Sequence, residues 1–361
     1  MTGQSKKVLI VGMLAMLSAA LVTISIRTLF GLDSEKNALS HKEAALRYPY
    51  QQLNAKEKAL YGALYEGIAQ YEKTIELPDT YDKETYERVF LMVAEQEPQF
   101  FYLDSVYETA ELMDKVNMHY KLTEDQIGKM SSAMQGRADT IIRKLPENAD
   151  DFDKLLKIHD EIADYCEYTD GTYQDEAYGC LAEGAAKCEG YAKAFLYTAR
   201  RAGFNVMNVT GTINGKENHV WNIAEVNGKY YHIDVTWDDS TQFKGHTTHT
   251  CFAVADAMFR DHIPDLTAYQ PPYCEDDTKN YYARKALIVN HSTELPQMIS
   301  TWLDDPMLME FRLADNTVEK AVKEIISTSK EIREAVRLTS GAMNYRAYMD
   351  DSRNVLVIMP S

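Results

Sequence analysis

Between residues 188 and 204 the apolar positions Tyr191, Ala192, Phe195, Leu196 and Ala199 recur at three- and four-residue steps. That spacing predicts an amphipathic helix that opens at Cys188, and Gly203 supplies its stop. Two later runs, HVWNIAEV from His219 and KYYHIDVTW from Lys229, change the period to two and are rich in aromatic and β-branched residues. Asn227-Gly228 lies between them, which is the strongest short-range signal for a two-residue type I′ hairpin. With those two residues in the turn, Val226 pairs with Lys229. His219 then falls opposite Thr236, and Asp234 opposite Trp221. His219 and Asp234 become diagonal neighbours on one face, roughly 7–8 Å apart at the backbone, within reach of an imidazole–carboxylate hydrogen bond. A one-residue slip would separate them onto opposite faces, so the turn decides the geometry.

The other blocks fall on either side of this one. Residues 33–149 are charged and tyrosine-rich, with helical periodicity in NAKEKALYGALYEGIAQYEKTI, KETYERVFLMVAEQEP and TEDQIGKMSSAMQGRADTIIRKL. Pro78 and Pro98 punctuate them, and Thr123 with Glu124-Asp125 is a helix start. These blocks read as a helical region that docks on the core and shapes access to it. The phenylalanines of QFFYLDSVYETAEL are expected to pack under the core. Asp150-Asp151 leads into a further helix, DFDKLLKIHDEIADY, where His159 reads as structural. Residues 285–361 alternate strand and helix patterns: ALIVN, STELPQMISTWLDD, MLMEFRLAD, TVEKAVKEIISTSKEIREAVRL, MNYRAYM and NVLVIMPS. This is a small C-terminal α/β unit of ferredoxin-like aspect, without a Gly-rich phosphate loop.

The chemistry concentrates in the middle block. A cysteine in the first turn of a helix feels unpaired backbone N–H groups and the positive end of the macrodipole, and both favour the nucleophilic thiolate. The same N–H groups can hold the oxyanion of a tetrahedral intermediate. Asp234 would fix the tautomer of His219, and His219 would take the Cys188 proton and return it to a leaving group. His232 falls on the same face, opposite Ile223, as a lesser rival base. Tyr178 precedes the cysteine closely enough to be a candidate oxyanion donor, with packing as the competing role. Trp221 and Trp237 read as aromatics covering the site.

The segments CEGYA, HVWN and DVTWD, in this order and with hairpin-compatible spacing, resemble the bacterial form of the transglutaminase-like superfamily. The resemblance is clearest over about residues 150–275 and takes in IHDEIADYCEY and CFAVADAMFRDH. It implies an α+β, papain-like catalytic core over 150–284, with the cysteine helix packed on an antiparallel sheet. The catalytic roles then fall to Cys188, His219 and Asp234. Crosslinking enzymes, proteases, amidases and proteins without known activity share that architecture. The resemblance therefore implies acyl transfer or hydrolysis through a thioester, on a protein or peptide substrate, without a cofactor or metal. A bacterial wall or secreted protein is the implied substrate pool. A catalytically silent surface scaffold and a cell-wall peptidase are the alternatives.

Charge and the amino terminus narrow the setting. The net charge is −17. The first 32 residues hold only basic charges, so the acidity belongs to the rest of the chain. Such acidity disfavours nucleic acid and anionic membrane surfaces as partners. Val8 to Ile26 is an uncharged stretch of 19 residues between Lys6-Lys7 and Arg27. As a helix it would span roughly 28 Å, close to one hydrocarbon core. Residues 1–32 are therefore expected to anchor the chain with its bulk extracytoplasmic, a cleaved signal segment being the rival reading. Besides Cys188 there are four cysteines, Cys166, Cys180, Cys251 and Cys274, enough for two disulfides or none. His246, His249 and Cys251 form only a weak mimic of a metal motif. No stretch has the carboxylate spacing of a calcium loop.

Overall fold

The computed structural model describes residues 39–104, 110–239, 243, 245–276, 278 and 280–361. The hydrophobic amino-terminal stretch lies outside these residues, and no described helix is long and apolar enough to cross a membrane.

The longer helices of the amino-terminal region are α1 (Ala55–Ala69), α2 (Lys83–Gln96) and α3 (Glu124–Ile142). Each start carries its own cap: Asn54 and Thr123 close capping boxes with Glu57 and Gln126, and Asp82 accepts from the Thr85 amide. The region is not wholly helical. Strand β1 (Thr74–Asp82) pairs antiparallel with β2 (Leu112–Asn117), where the sequence pattern gave no strand. Two buried residues, Ile75 and Val116, face each other across that ladder, a long-range contact invisible to local periodicity.

The middle block is an α+β core. Helix α4 (Asp151–Ala163) and the cysteine helix α5 (Cys188–Arg201) pack on a five-stranded antiparallel sheet. Its strands are β3 (Val206–Ile213), β4 (Glu217–Val226), β5 (Lys229–Ile233), β6 (Phe252–Val254) and β7 (His262–Pro264), in the order β6-β5-β4-β3-β7. Val226 pairs with Lys229 and Ile223 with His232. Asn227 and Gly228 both have positive φ, 52° and 79°, as a type I′ turn demands. The strand ends at Ile233, four residues before the alternating pattern does. Asp234 becomes the N-cap of a one-turn helix, α6 (Val235–Asp238), and accepts from the Trp237 amide at 3.1 Å. Thr236 therefore lies on a helical turn and not across from His219. An aspartate followed by Val-Thr-Trp-Asp competes as a cap, and here the cap wins.

The helical region is joined to the cysteine helix by buried charge. Arg47 forms a bidentate pair with Glu97 at 2.6 and 2.8 Å, and Arg200 of α5 lies 3.6 Å from the same carboxylate. Gln96 is clamped to Asn208 of β3 in both directions, accepting at 3.1 Å and donating at 2.8 Å. Phe100 and Phe101 are buried in the shared core.

The C-terminal unit has strands β8 (Ile288–Val289), β9 (Met309–Leu313), β10 (Tyr345–Asp350) and β11 (Val355–Pro360), ordered β8-β9-β11-β10. Helices α7 (Asn316–Ile325) and α8 (Lys330–Ser340) cover one face. The β8–β9 pair is parallel and the last strand inserts between β9 and β10, which is not the ferredoxin-like arrangement expected. Strand β11 is apolar on both faces for a reason. Leu356 and Ile358 point into this unit's own core, whereas Val355 and Val357 join the main core. A strand buried on both sides reads as an unbroken apolar run.

Candidate active site

Cys188 occupies the first position of α5, and the N-cap residue Lys187 offers no side-chain acceptor. The amides of the first turn are thus left without intrahelical partners beside the thiol. Cys188 is half-buried, and the other four cysteines are buried free thiols. Gly190 allows the helix start to sit close to the preceding loop, because a Cβ there would come within 2.3 Å of the Gln174 carbonyl oxygen. Gly190 thus seats the helix two residues after the thiol.

Strand β4 delivers His219 to the same place. Its Nε2 donates to Asp234 Oδ2 at 2.6 Å, and both side chains are buried. With Nε2 committed, Nδ1 is the nitrogen left for the sulfur. Burial alone would push the His219 pKa down. The Asp234 charge and hydrogen bond, and then the hydrogen bond and charge of Cys188, carry it up to about 10. The His219 imidazolium reciprocally holds the Asp234 carboxyl well below the usual carboxylate range, against the burial that would raise it. The structure thus brings Cys188, His219 and Asp234 together, although Asp234 comes from a helix cap and not from a strand.

Five further residues complete the surroundings. His262, from the edge strand β7, donates through Nε2 to the same Asp234 oxygen at 3.1 Å. No local pattern announces it, since β7 is three residues long and exists only by pairing with β3. Gly211, directly across from His219, permits that pairing: a Cβ there would meet the Ile263 carbonyl oxygen at 2.2 Å. Tyr168 lies close enough to Cys188 for the sulfur's charge to help raise its phenol, after burial, and its ring covers the Lys187 ammonium at 4.6 Å. Trp221 is fully buried and lies parallel to the His219 ring at 6.2 Å, with Trp237 6.0 Å from the same ring.

The other candidates go elsewhere. Tyr178 stacks on Phe101 and stands edge-on to Tyr173, a packing position. His232 has no nitrogen to spare: Nδ1 accepts from Trp221 Nε1 at 3.0 Å and Nε2 faces Asp256 at 2.8 Å. That donation requires an unprotonated Nδ1, and burial pushes the His232 pKa down. His159 is buried between Asp160 and Asp238, at 2.9 and 3.2 Å. His249 bridges Asp160 (3.1 Å) and Glu310 (2.5 Å). Among the described residues, three groups have spacing that could hold a cation: His159 with Asp160 and His249, His219 with Asp234 and His262, and His232 with Asp256 and Cys274. In each, hydrogen bonds engage both nitrogens of at least one ring. His249 joins such a group, but with His159 and Asp160 and not with His246, which pairs with Asp305.

A half-buried thiol at a helix start, with an imidazole on an antiparallel sheet and a carboxylate at the helix cap that follows the next strand, defines the papain-like α+β class of cysteine enzymes. Residues 138–235 match the transglutaminase-like superfamily model, and this part of the chain is a transglutaminase-like domain. Among solved structures, a transglutaminase is similar at 12% identity with a TM-score of 0.28, over 43% of this chain and 48% of that one. A candidate cysteine protease from Cytophaga hutchinsonii is similar at 18% identity and a TM-score of 0.28, over 40% and 46%. The matched part spans about half the length of each. No curated protein matches the sequence.

Proposed function

We propose that this protein is a cysteine-dependent acyl transferase or hydrolase acting on protein or peptide amides. The observation that carries the reading is the 2.6 Å contact between His219 Nε2 and Asp234 Oδ2, with Cys188 near enough to the same imidazole to interact with it. In the first step the Cys188 sulfur attacks the amide carbonyl carbon and a C–S bond forms. The oxygen gains the negative charge and lies by the first-turn amides of α5. The C–N bond then breaks as the His219 imidazolium gives its proton to the departing nitrogen, leaving a thioester. Water or a second amine attacks the thioester and loses a proton to His219, and the sulfur departs. Asp234 keeps the imidazole in register through both halves. The acceptor, water or amine, depends on what the pocket excludes. The uncharged amino-terminal stretch supports work at the extracytoplasmic face on wall or secreted proteins.

The test is alkylation of the full chain by iodoacetamide across pH, with the modified cysteine mapped by mass spectrometry. Labelling of Cys188 near pH 6 should outpace that of the other cysteines and slow in His219→Ala and Asp234→Ala. Uniform slow labelling, indifferent to His219→Ala, would point instead to a silent binding scaffold.

A further inference from the structure

We propose that the C-terminal unit is a working part of the active site, with Arg353 as a positioning residue that holds Asp234 on His219 through Asp261 and His262. This rests on the reading of Cys188 and His219 given above. Arg353 lies in the turn between β10 and β11, and Asp350 at the head of that turn accepts from its amide at 3.2 Å. Its Nη1 donates to Asp350 Oδ2 at 3.3 Å and Ser352 Oγ at 2.8 Å in its own turn, and the rest of the guanidinium is almost wholly buried against the catalytic domain. There Nη2 reaches both oxygens of Asp261, at 3.0 and 3.1 Å. The guanidinium also covers the rings of Trp237 and Phe259, at 5.1 and 5.3 Å. These contacts place a fixed cation on the carboxylate that neighbours His262.

Asp261 passes that order inward. Its Oδ1 lies 2.8 Å from His262 Nδ1, and on the far side of the ring His262 Nε2 lies 3.1 Å from Asp234 Oδ2. The His262 ring is stacked on Phe259 at 3.7 Å and meets Trp237 and Trp221 edge-on at 4.7 and 5.1 Å. Those rings hold its plane, so what Asp261 and Asp234 decide between them is which ring nitrogen presents its N–H. Asp234 Oδ2 serves two histidines at once, and the second pins the oxygen that orients the first. Without Arg353, Asp261 would keep an uncompensated charge beside His262 and compete with Asp234 for it. The carboxylate of Asp234 would keep the Trp237 amide and His219 but lose the second donor that fixes Oδ2, and the register of His219 with the sulfur would loosen.

The experiment uses the full chain and the iodoacetamide probe, comparing the Cys188 labelling rate at pH 6 with that at pH 9. Thermal unfolding establishes that each variant is folded. Arg353→Met keeps the aliphatic stem and removes the cation, and Asp261→Asn breaks the same link from the other side should Arg353→Met not fold. Both are expected to lower the pH 6 to pH 9 rate ratio by roughly tenfold or more, the scale at which small misplacements act on reacting groups. Arg346→Met removes an exposed arginine from the same unit and should label as wild type does. Wild-type rates and pH dependence in both Arg353→Met and Asp261→Asn would overturn the proposal while leaving the Cys188–His219 reading intact. Wild-type Cys188 labelling no faster than the buried cysteines would overturn both.

Discussion

Asp234 is asked to do three things with two oxygens. Oδ1 caps α6 through the Trp237 amide, and Oδ2 accepts from His219 and His262. A neutral amide at this position could cap the helix but would leave an N–H or a neutral oxygen facing His219. Asp234→Asn is therefore expected to preserve the circular dichroism spectrum while lowering turnover of an amide substrate by up to about 10⁴. The same pair makes stability depend on pH. His219 has an ordinary pKa of 6.5 and is raised to about 10 in the fold, so its charged form is the one the native state favours. Its stabilising contribution is complete below 6.5 and is lost as pH rises through about 10. The gap in urea-unfolding free energy between wild type and His219→Gln should be largest near pH 6 and close towards pH 10.

At the scale of elements, the site depends on two close approaches that only glycine permits. Gly190 seats the cysteine helix on its loop, and Gly211 lets β7 lie against β3 with His262 beside Asp234. Gly211→Ala would drive a methyl group into the Ile263 carbonyl and the Trp221 ring, both backed by packed structure. The expected cost is about 1–3 kcal/mol, measured by urea unfolding, together with slower Cys188 labelling at pH 6 as β7 and His262 shift. An exposed glycine such as Gly136, with nothing near its absent Cβ, should tolerate alanine without either effect.

Across the whole molecule, buried charge ties the peripheral parts to the core. Glu310 of β9 is buried and accepts from the His249 amide at 3.0 Å, His249 Nδ1 at 2.5 Å and the Tyr282 hydroxyl at 2.7 Å. Burial would lower the His249 pKa, yet Glu310 and Asp160 raise it to about 10. Glu310→Ala would leave that imidazole with one carboxylate fewer and is expected to cost about 3–5 kcal/mol at pH 6. Because the raised pKa belongs to the folded state, the loss should shrink as pH passes through about 10, which urea titrations at two pH values would read. The network also explains why β9, whose register places Glu310 between Met309 and Phe311, carries a charge in an apolar run.

The amino-acid order alone determined what could be decided within a few residues. The helix opening at Cys188 and the Asn227-Gly228 turn with its register follow from spacing and local sterics, and so does the pairing of an imidazole with Asp234. The extra strands β1 and β2, the capping role of Asp234 and the edge strand that brings His262 were not legible there. The strands arise from partners distant in sequence, Val116 for Ile75 and Thr212 for Ile263, as does the Arg353–Asp261 pair, whereas the cap is a local competition won through the Trp237 amide. Hydrophobic period and turn chemistry are properties of neighbours along the chain. Which carboxylate neutralises which cation is settled only when burial removes water as the alternative partner, and that is a property of the tertiary fold.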